Sequence, residues 1–415
     1  MTQTGESERQ FFAREKRVTD AIQLKVPDRV PIVPIGDYFP SKYCGVSVEA
    51  AFYDPARWRQ AVKNTIVDFE PDLYRASRGF PGRAYEILGC TQARWPGLPG
   101  IYGTHQFVER EYMKADEYNA FLYDPSDYAV RSYLPRIFSA LEPLKNLLPL
   151  NSITLGYMEA MMADIFIKPE FTRLFEALAE AGREAQAWKA EWEGFTEEME
   201  ALGFPEFAGS FSQAPFDIIS DYHRGMRGTM LDLFRRPDEL MEACEKLVPV
   251  LVERGIFFAE KSGNPRVFMP LHRGSDGFMS LEHFVTFYWP TLKKVIVALV
   301  DKGLTPCPFF EGDFTSRLEY ILELPKGKIL ANFDVTDLFR AKEVIGNHTC
   351  IRGNVPVSLL SAGAPHDVED YCKKLIDIVG KDGGFAMCSG GAVEEGKVEN
   401  VKAMFDFTKK YGVYN

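Results

Sequence analysis

No two of the seven cysteines (44, 90, 244, 307, 350, 372 and 388) form a C-x-x-C pair or fall at zinc-finger spacing. Their odd number does not suit a disulfide framework, so reduced thiols in a cytoplasm are expected. No apolar run approaches 20 residues, which argues against a conventional membrane-spanning helix. The start MTQTGESERQFF has no apolar stretch behind a basic region, so no secretory signal is expected. Basic charge is in deficit: the net charge is -11 at pH 7, which disfavours duplex nucleic acid and anionic membrane as partners. The motifs G-x-x-x-x-G-K-[ST], H-E-x-x-H, G-x-S-x-G and D-x-H-x-x-G are all missing. That excludes a phosphate loop, the common zinc-hydrolase helix, a nucleophile elbow and an in-chain corrinoid site.

What is present is ordinary globular composition, 46% hydrophobic and 26% charged, over 415 residues. Short apolar runs closed by Gly, Pro, Asp or Asn alternate with longer amphipathic stretches, the pattern of parallel βα units. Eight runs qualify: 29–38, 72–79, 206–212, 265–274, 304–312, 327–337, 349–356 and 383–391. Eight parallel strands close into a barrel, and an open doubly wound sheet would carry a Gly-rich turn after its first strand, which this chain lacks. The expected fold is α/β, a (β/α)8 TIM barrel filling residues 1–415 as one domain. Residues 80–205 are read as a helical insertion between strands 2 and 3 that caps the barrel mouth.

In such a barrel, chemistry belongs to polar side chains at the C-terminal strand ends. Those ends carry Asp37 and Tyr38, Arg75 and Arg78, Ser210 and Ser212, His272 with Arg273 and Asp276, Glu311 with Asp313, Asp334, Arg352 with Asn354, and Cys388. His272 and Glu311 fall on successive strands, where an imidazole and a carboxylate can share one ligand. Three roles fit them: two zinc ligands with Cys388 as a third, a general acid and base, or a structural pair in which Glu311 answers Arg273 or Arg317. Cys388 is otherwise a small buried apolar residue, the commoner state of a free cysteine. Asp334 is either a mouth carboxylate or the cap of a helix starting at 336–338. The stretch 214–228 places His223, Arg224 and Arg227 near glycines, either as an anion site or as a solvated helix entry.

The segment REKRVTDAIQLKVPDRVPIVP resembles the opening of the uroporphyrinogen decarboxylase superfamily. The resemblance continues through SDYHRGMRGTMLDLFRRPDEL, LHRGSDGFMSLEHFVTFYWPTLKKVI, FFEGDFTSRLEYILELPKGK, AKEVIGNHTCIRGNVPVSLLSAGAPHDVEDYCKKLI and GGFAM…ENVKAM, in the family's order. It implies a (β/α)8 barrel, a homodimer, and one of two activities: decarboxylation of porphyrinogens, or corrinoid-dependent methyl transfer. The M-R-Q-A-G-R-Y type segment that holds propionates in the decarboxylases is replaced here by PIGDYFPSKYCG. The His-x-Cys of the zinc methyltransferases is replaced by Phe309-Phe310-Glu311, and their later Gly-Cys by Ser389-Gly390. A zinc with harder ligands, or none, is what these departures imply.

Loss of the thiolates points away from thiol activation and towards a methyl donor, as in the relatives that demethylate aryl methyl ethers in anaerobes. The resemblance then implies O-demethylation with His272, Glu311 and Asp334 as catalytic groups. Tyr38, Phe309, Phe310 and Phe333 would pack a ring beside Asp37, and Arg75 or Arg78 would hold a ring carboxylate. The methyl would pass to the corrinoid (cobalamin) of a partner protein. A lyase acting on a carboxylated aromatic or porphyrinogen-like substrate is the competing expectation, and a non-catalytic barrel a third.

Overall fold

A computed structural model describes residues 5–152 and 162–414. Six parallel strands run in chain order: β3 (Ser210–Phe211), β4 (Arg266–Leu271), β5 (Thr305–Phe310), β6 (Leu330–Phe333), β7 (Cys350–Val355) and β8 (Phe385–Ser389). Two extended segments complete the wall. Residues 30–35 bridge β8 through Ile32 and Met387, and Asp72 N donates to Ile32 O at 2.9 Å. Residues 72–75 then bridge Glu206 through Tyr74, just before β3. Every stave therefore has two neighbours, and the barrel closes as expected.

Strand alternation sorts the side chains into two sets. Val33, Leu73, Phe207, Phe268, Cys307, Phe309, Leu330, Cys350 and Ala386 form one cluster inside the barrel. Their neighbours Val267, Met269, Leu271, Phe310, Ala331, Phe333, Ile351 and Met387 face outward into a large layer beneath the helices. The floor is closed by α1 (Gly5–Ile22), whose Val18, Ala21 and Ile22 join the interior cluster. Charge ties that helix down: Arg17 and Arg29 both pair with the buried Asp72, and Glu15 pairs with Arg266.

The covering helices start and stop where their sequences say. Helix Pro237–Ser262 begins on Pro with Asp238 and Glu239 in its first turn and ends on Gly263 at φ 71°, a conformation glycine reaches without strain. Helix Leu338–Ile345 is capped by Asp337, whose carboxylate accepts from Phe339 N and Arg340 N. Asp334 is therefore not the cap.

Between residues 75 and 206 lie helices from Gly82–Leu88 to Phe195–Ala201, together with a two-stranded antiparallel pair, β1 (Ala93–Arg94) and β2 (Gln106–Phe107). Part of the 80–205 insertion, residues 153–161, falls outside the described residues. Residues 105–113 approach the mouth: Tyr112 N and Met113 N both donate to His223 O, and Phe107 meets Tyr222 edge to face. Among the described residues no helix is long and apolar enough to cross a membrane.

Candidate active site

His272 is the residue that follows β4, and Glu311 the residue that follows β5. By the alternation that buries Phe268 and Phe309 inside, both face the barrel axis at its C-terminal end. Their nearest polar atoms, His272 Nε2 and Glu311 Oε1, are 3.7 Å apart. This is the geometry of two groups flanking one small moiety, beyond direct hydrogen-bond reach of each other.

Two aspartates that sequence reasoning passed over set the histidine. Asp221 Oδ2 accepts from His272 Nδ1 at 2.5 Å, and its Oδ1 accepts from Arg273 Nε at 2.9 Å. Asp217, fully buried, accepts from His272 N at 2.9 Å, Arg273 N at 3.0 Å and the Tyr288 hydroxyl at 2.8 Å. Both aspartates come from the segment after β3, where the chain winds a widened π-type turn over Ile218–Arg224. Such turns insert one residue into a helix and are frequent at functional sites. Nothing in a periodicity count marks them; the available signal was a pair of acids four apart just beyond a strand end.

The electrostatics follow from this packing. Burial opposes charge on His272, but the Asp221 hydrogen bond and the charges of Asp217 and Glu311 outweigh it and push the imidazole up to about 9. Burial raises Glu311, with the imidazolium opposing and Asp334 reinforcing. Asp334, which follows β6, is also raised by burial, while Gly312 N donates to its Oδ2 at 3.1 Å. On the side of the ring away from Asp221, His272 Nε2 lies 3.7 Å from Glu311 Oε1, a carboxyl that burial raises.

The other expected residues divide. Arg75 lies inside the barrel, its guanidinium 3.6 Å over the Phe268 ring, and Phe309 packs on the same interior. Phe310 does not face it: Phe310 points outward and stacks on Phe333 at 5.1 Å in the layer under the helices, because adjacent strand residues take opposite faces. Tyr38 packs in a side cluster with Phe52 and Trp58, its hydroxyl 2.8 Å from His105 Nδ1. Asp37 is a buried tie between loops, accepting from Phe39 N and Val393 N; burial raises it to about 6. Ser210 and Ser212 face outward onto the carbonyls of Gly255 and Leu251. Arg78 pairs with Glu206. Arg224 is no anion site, since Asp232 and Met113 O already hold it. Glu311 does not answer Arg317, which pairs with Asp276.

The zinc expectation needs a third ligand. His272 and Glu311 could supply two, but Cys388 is buried on β8 level with Asn354, and among the described residues no three His, Cys, Asp or Glu side chains gather as a metal site. The donor set does not fit zinc.

Fold and site together define a closed parallel α/β barrel with an aspartate-set histidine and a carboxylate at its strand ends. The family model described as uroporphyrinogen decarboxylase (URO-D) matches residues 207–411, just under half of the chain, and that part is similar to the uroporphyrinogen decarboxylase family. A methyltransferase from Methanosarcina mazei shares the fold, with a TM-score of 0.61 at 15% identity over 96% of this chain and 98% of the other. No curated protein matches the sequence.

Proposed function

We propose that the protein is a methyltransferase that takes the methyl group of a small methoxylated aromatic and passes it to the Co(I) corrinoid of a partner protein. The observation that supports this reading is the Asp221–His272–Glu311 line at the strand-end mouth of a barrel whose interior carries Phe268 and Phe309. Demethylating an aryl ether breaks the methyl carbon–oxygen bond. Its electron pair stays on oxygen, and the two electrons of Co(I) form the new cobalt–carbon bond. The aryl oxide is a poor leaving group until a proton reaches it.

His272 supplies that proton from Nε2 and regains one from solvent, while the Glu311 carboxylate 3.7 Å away favours the charged ring. An imidazolium near 9 is well matched to a phenol near 10, and matched acids transfer protons most effectively. Asp221 is a positioning residue: it holds Nδ1–H and leaves Nε2 as the working atom. The family match and the fold neighbour, named for a decarboxylase and a methyltransferase, support a choice between these two chemistries. The missing propionate-binding segment after the first stave favours methyl transfer.

The test is to incubate the protein with a panel of methoxybenzoates and free Co(I) corrinoid and to follow methyl-cobalt absorbance. Methyl-cobalt should form with at least one donor and only with Co(I) present. Release of carbon dioxide from a carboxylated substrate without corrinoid would establish the lyase instead.

A further inference from the structure

Two arginines inside the barrel have no carboxylate within ion-pair distance among the described residues. Arg75 lies over Phe268, and Arg352 on β7, 1% exposed, lies 4.6 Å over the ring of Phe207. Those two rings meet edge to face at 6.3 Å, so the guanidiniums sit on adjoining rings. Elsewhere in the core Arg224, Arg266 and Arg317 are each held by a carboxylate. Arg352 keeps one bond, from Nε to Val33 O at 2.8 Å, and its Nη2 has no partner. Asn332 stands opposite Arg352 in register on β6, 1% exposed, with neither Oδ1 nor Nδ2 satisfied.

Each such group costs about 1–3 kcal/mol while unsatisfied, so a cluster of them marks a place where a ligand completes the bonding. The set is rich in N–H donors and carries two positive charges. Burial, and then the neighbouring Arg352 charge, lower Arg75 to about 10, against the opposing charges of Glu206, Glu311 and Asp37. Aromatic rings line the interior: Phe268 and Phe309 sit side by side on adjacent strands, centroids 6.5 Å apart and tilted by 31°. A planar, bidentate anion attached to a ring matches both features.

We propose that the barrel interior binds an aromatic carboxylate, with Arg75, Arg352 and Asn332 holding the carboxylate below the level of His272 and Glu311. Asn332 and Asp334 are two residues apart along one stave, about 6.6 Å. That is about the span between para substituents of one benzene ring. A ring seated on the arginines therefore brings a para oxygen up to the His272–Glu311 gap, an orientation that rests on the methyltransferase reading; the anion site itself does not.

The experiment is calorimetric titration of the full chain with benzoate and with benzamide, neither of which carries a methyl group to transfer. Benzoate should bind at least tenfold more tightly than benzamide, and Arg75→Met should bring the ratio close to one. Asn332→Leu should weaken benzoate roughly tenfold. If Arg75→Met does not fold, Arg75→Lys serves, with a reduced but measurable preference. Equal affinities for the two probes, or no benzoate binding, overturns the anion site. Two further outcomes separate the readings. A benzoate preference without methyl-cobalt from any methoxybenzoate keeps the anion site and removes the methyltransferase. Methyl transfer from methoxybenzamide without benzoate binding does the reverse.

Discussion

Replacing Asp221 with asparagine changes one charge and almost no volume, and its effect can be followed at a single nucleus. In the native protein the imidazole of His272 is raised from 6.5 to about 9 against the pull of burial. At 1.36 kcal/mol per unit, that is on the order of 3 kcal/mol of preference for the charged ring. Asp221 supplies the hydrogen bond and part of the charge field, with Asp217 and Glu311 supplying the rest. Asp221→Asn should therefore lower the His272 pKa by roughly one to two units. The assay is an NMR titration of the histidine ring protons, with the His272 signal assigned by its loss in His272→Gln. Because the folded value lies above the free value, the charge contributes stability that is fully present below about pH 6.5 and disappears as pH rises through about 9. Thermal stability of the native protein should fall across that window, and the variant should fall less. The alkaline limb of the rate profile should move down with the titration. An unchanged His272 midpoint in Asp221→Asn would refute the account of how this site is charged.

Glu311→Gln should lower kcat/KM for the proposed methyl transfer by about 10²-fold or more while leaving the melting temperature within a degree or two, since among the described residues its only ion-pair contact is the 3.7 Å approach to His272. Phe310→Ala should destabilise the fold by about 3–5 kcal/mol in a denaturant titration and leave benzoate affinity unchanged once folded, because that ring belongs to the outer layer. Arg224→Met should cost about 3–5 kcal/mol in the same measurement by leaving Asp232 buried with, among the described residues, only the Tyr118 hydroxyl as donor. Gly36→Ala should cost about 1–3 kcal/mol and also weaken benzoate, because the added carbon would lie 2.5 Å from Arg75 O and 2.8 Å from its Cγ.

The strands were legible wherever a run of apolar residues ended on a polar one, and that rule led to His272, Glu311 and Asp334 directly. It failed within runs. Phe309 and Phe310 read alike in sequence, but one faces the well and the other the helices, and only the register with Pro270 and Leu271 separates them. Ser210 and Ser212 were placed on the rim by the same oversight: their hydroxyls bond outward to helix carbonyls. Asp217 and Asp221 escaped because a widened turn has neither the period of a helix nor that of a strand. Arg352 was visible as a strand residue, but its lack of a carboxylate partner among the described residues exists only in three dimensions. Tyr38 was misjudged for a related reason. The chain turns into a helix at Phe39, and the preceding ring swings into the cluster around Trp58.

The α1 helix that closes the floor of the barrel has a kinetic consequence. Under the methyl transfer proposed above, a barrel open at one end would admit its ligands in sequence: the small donor would be seated before a protein-borne acceptor covered the mouth, and the demethylated phenol would leave after the acceptor withdrew. Steady-state data should then show an ordered mechanism with the donor binding first. Excess corrinoid protein should inhibit by occupying the mouth of an empty barrel, and the donor should relieve that inhibition competitively.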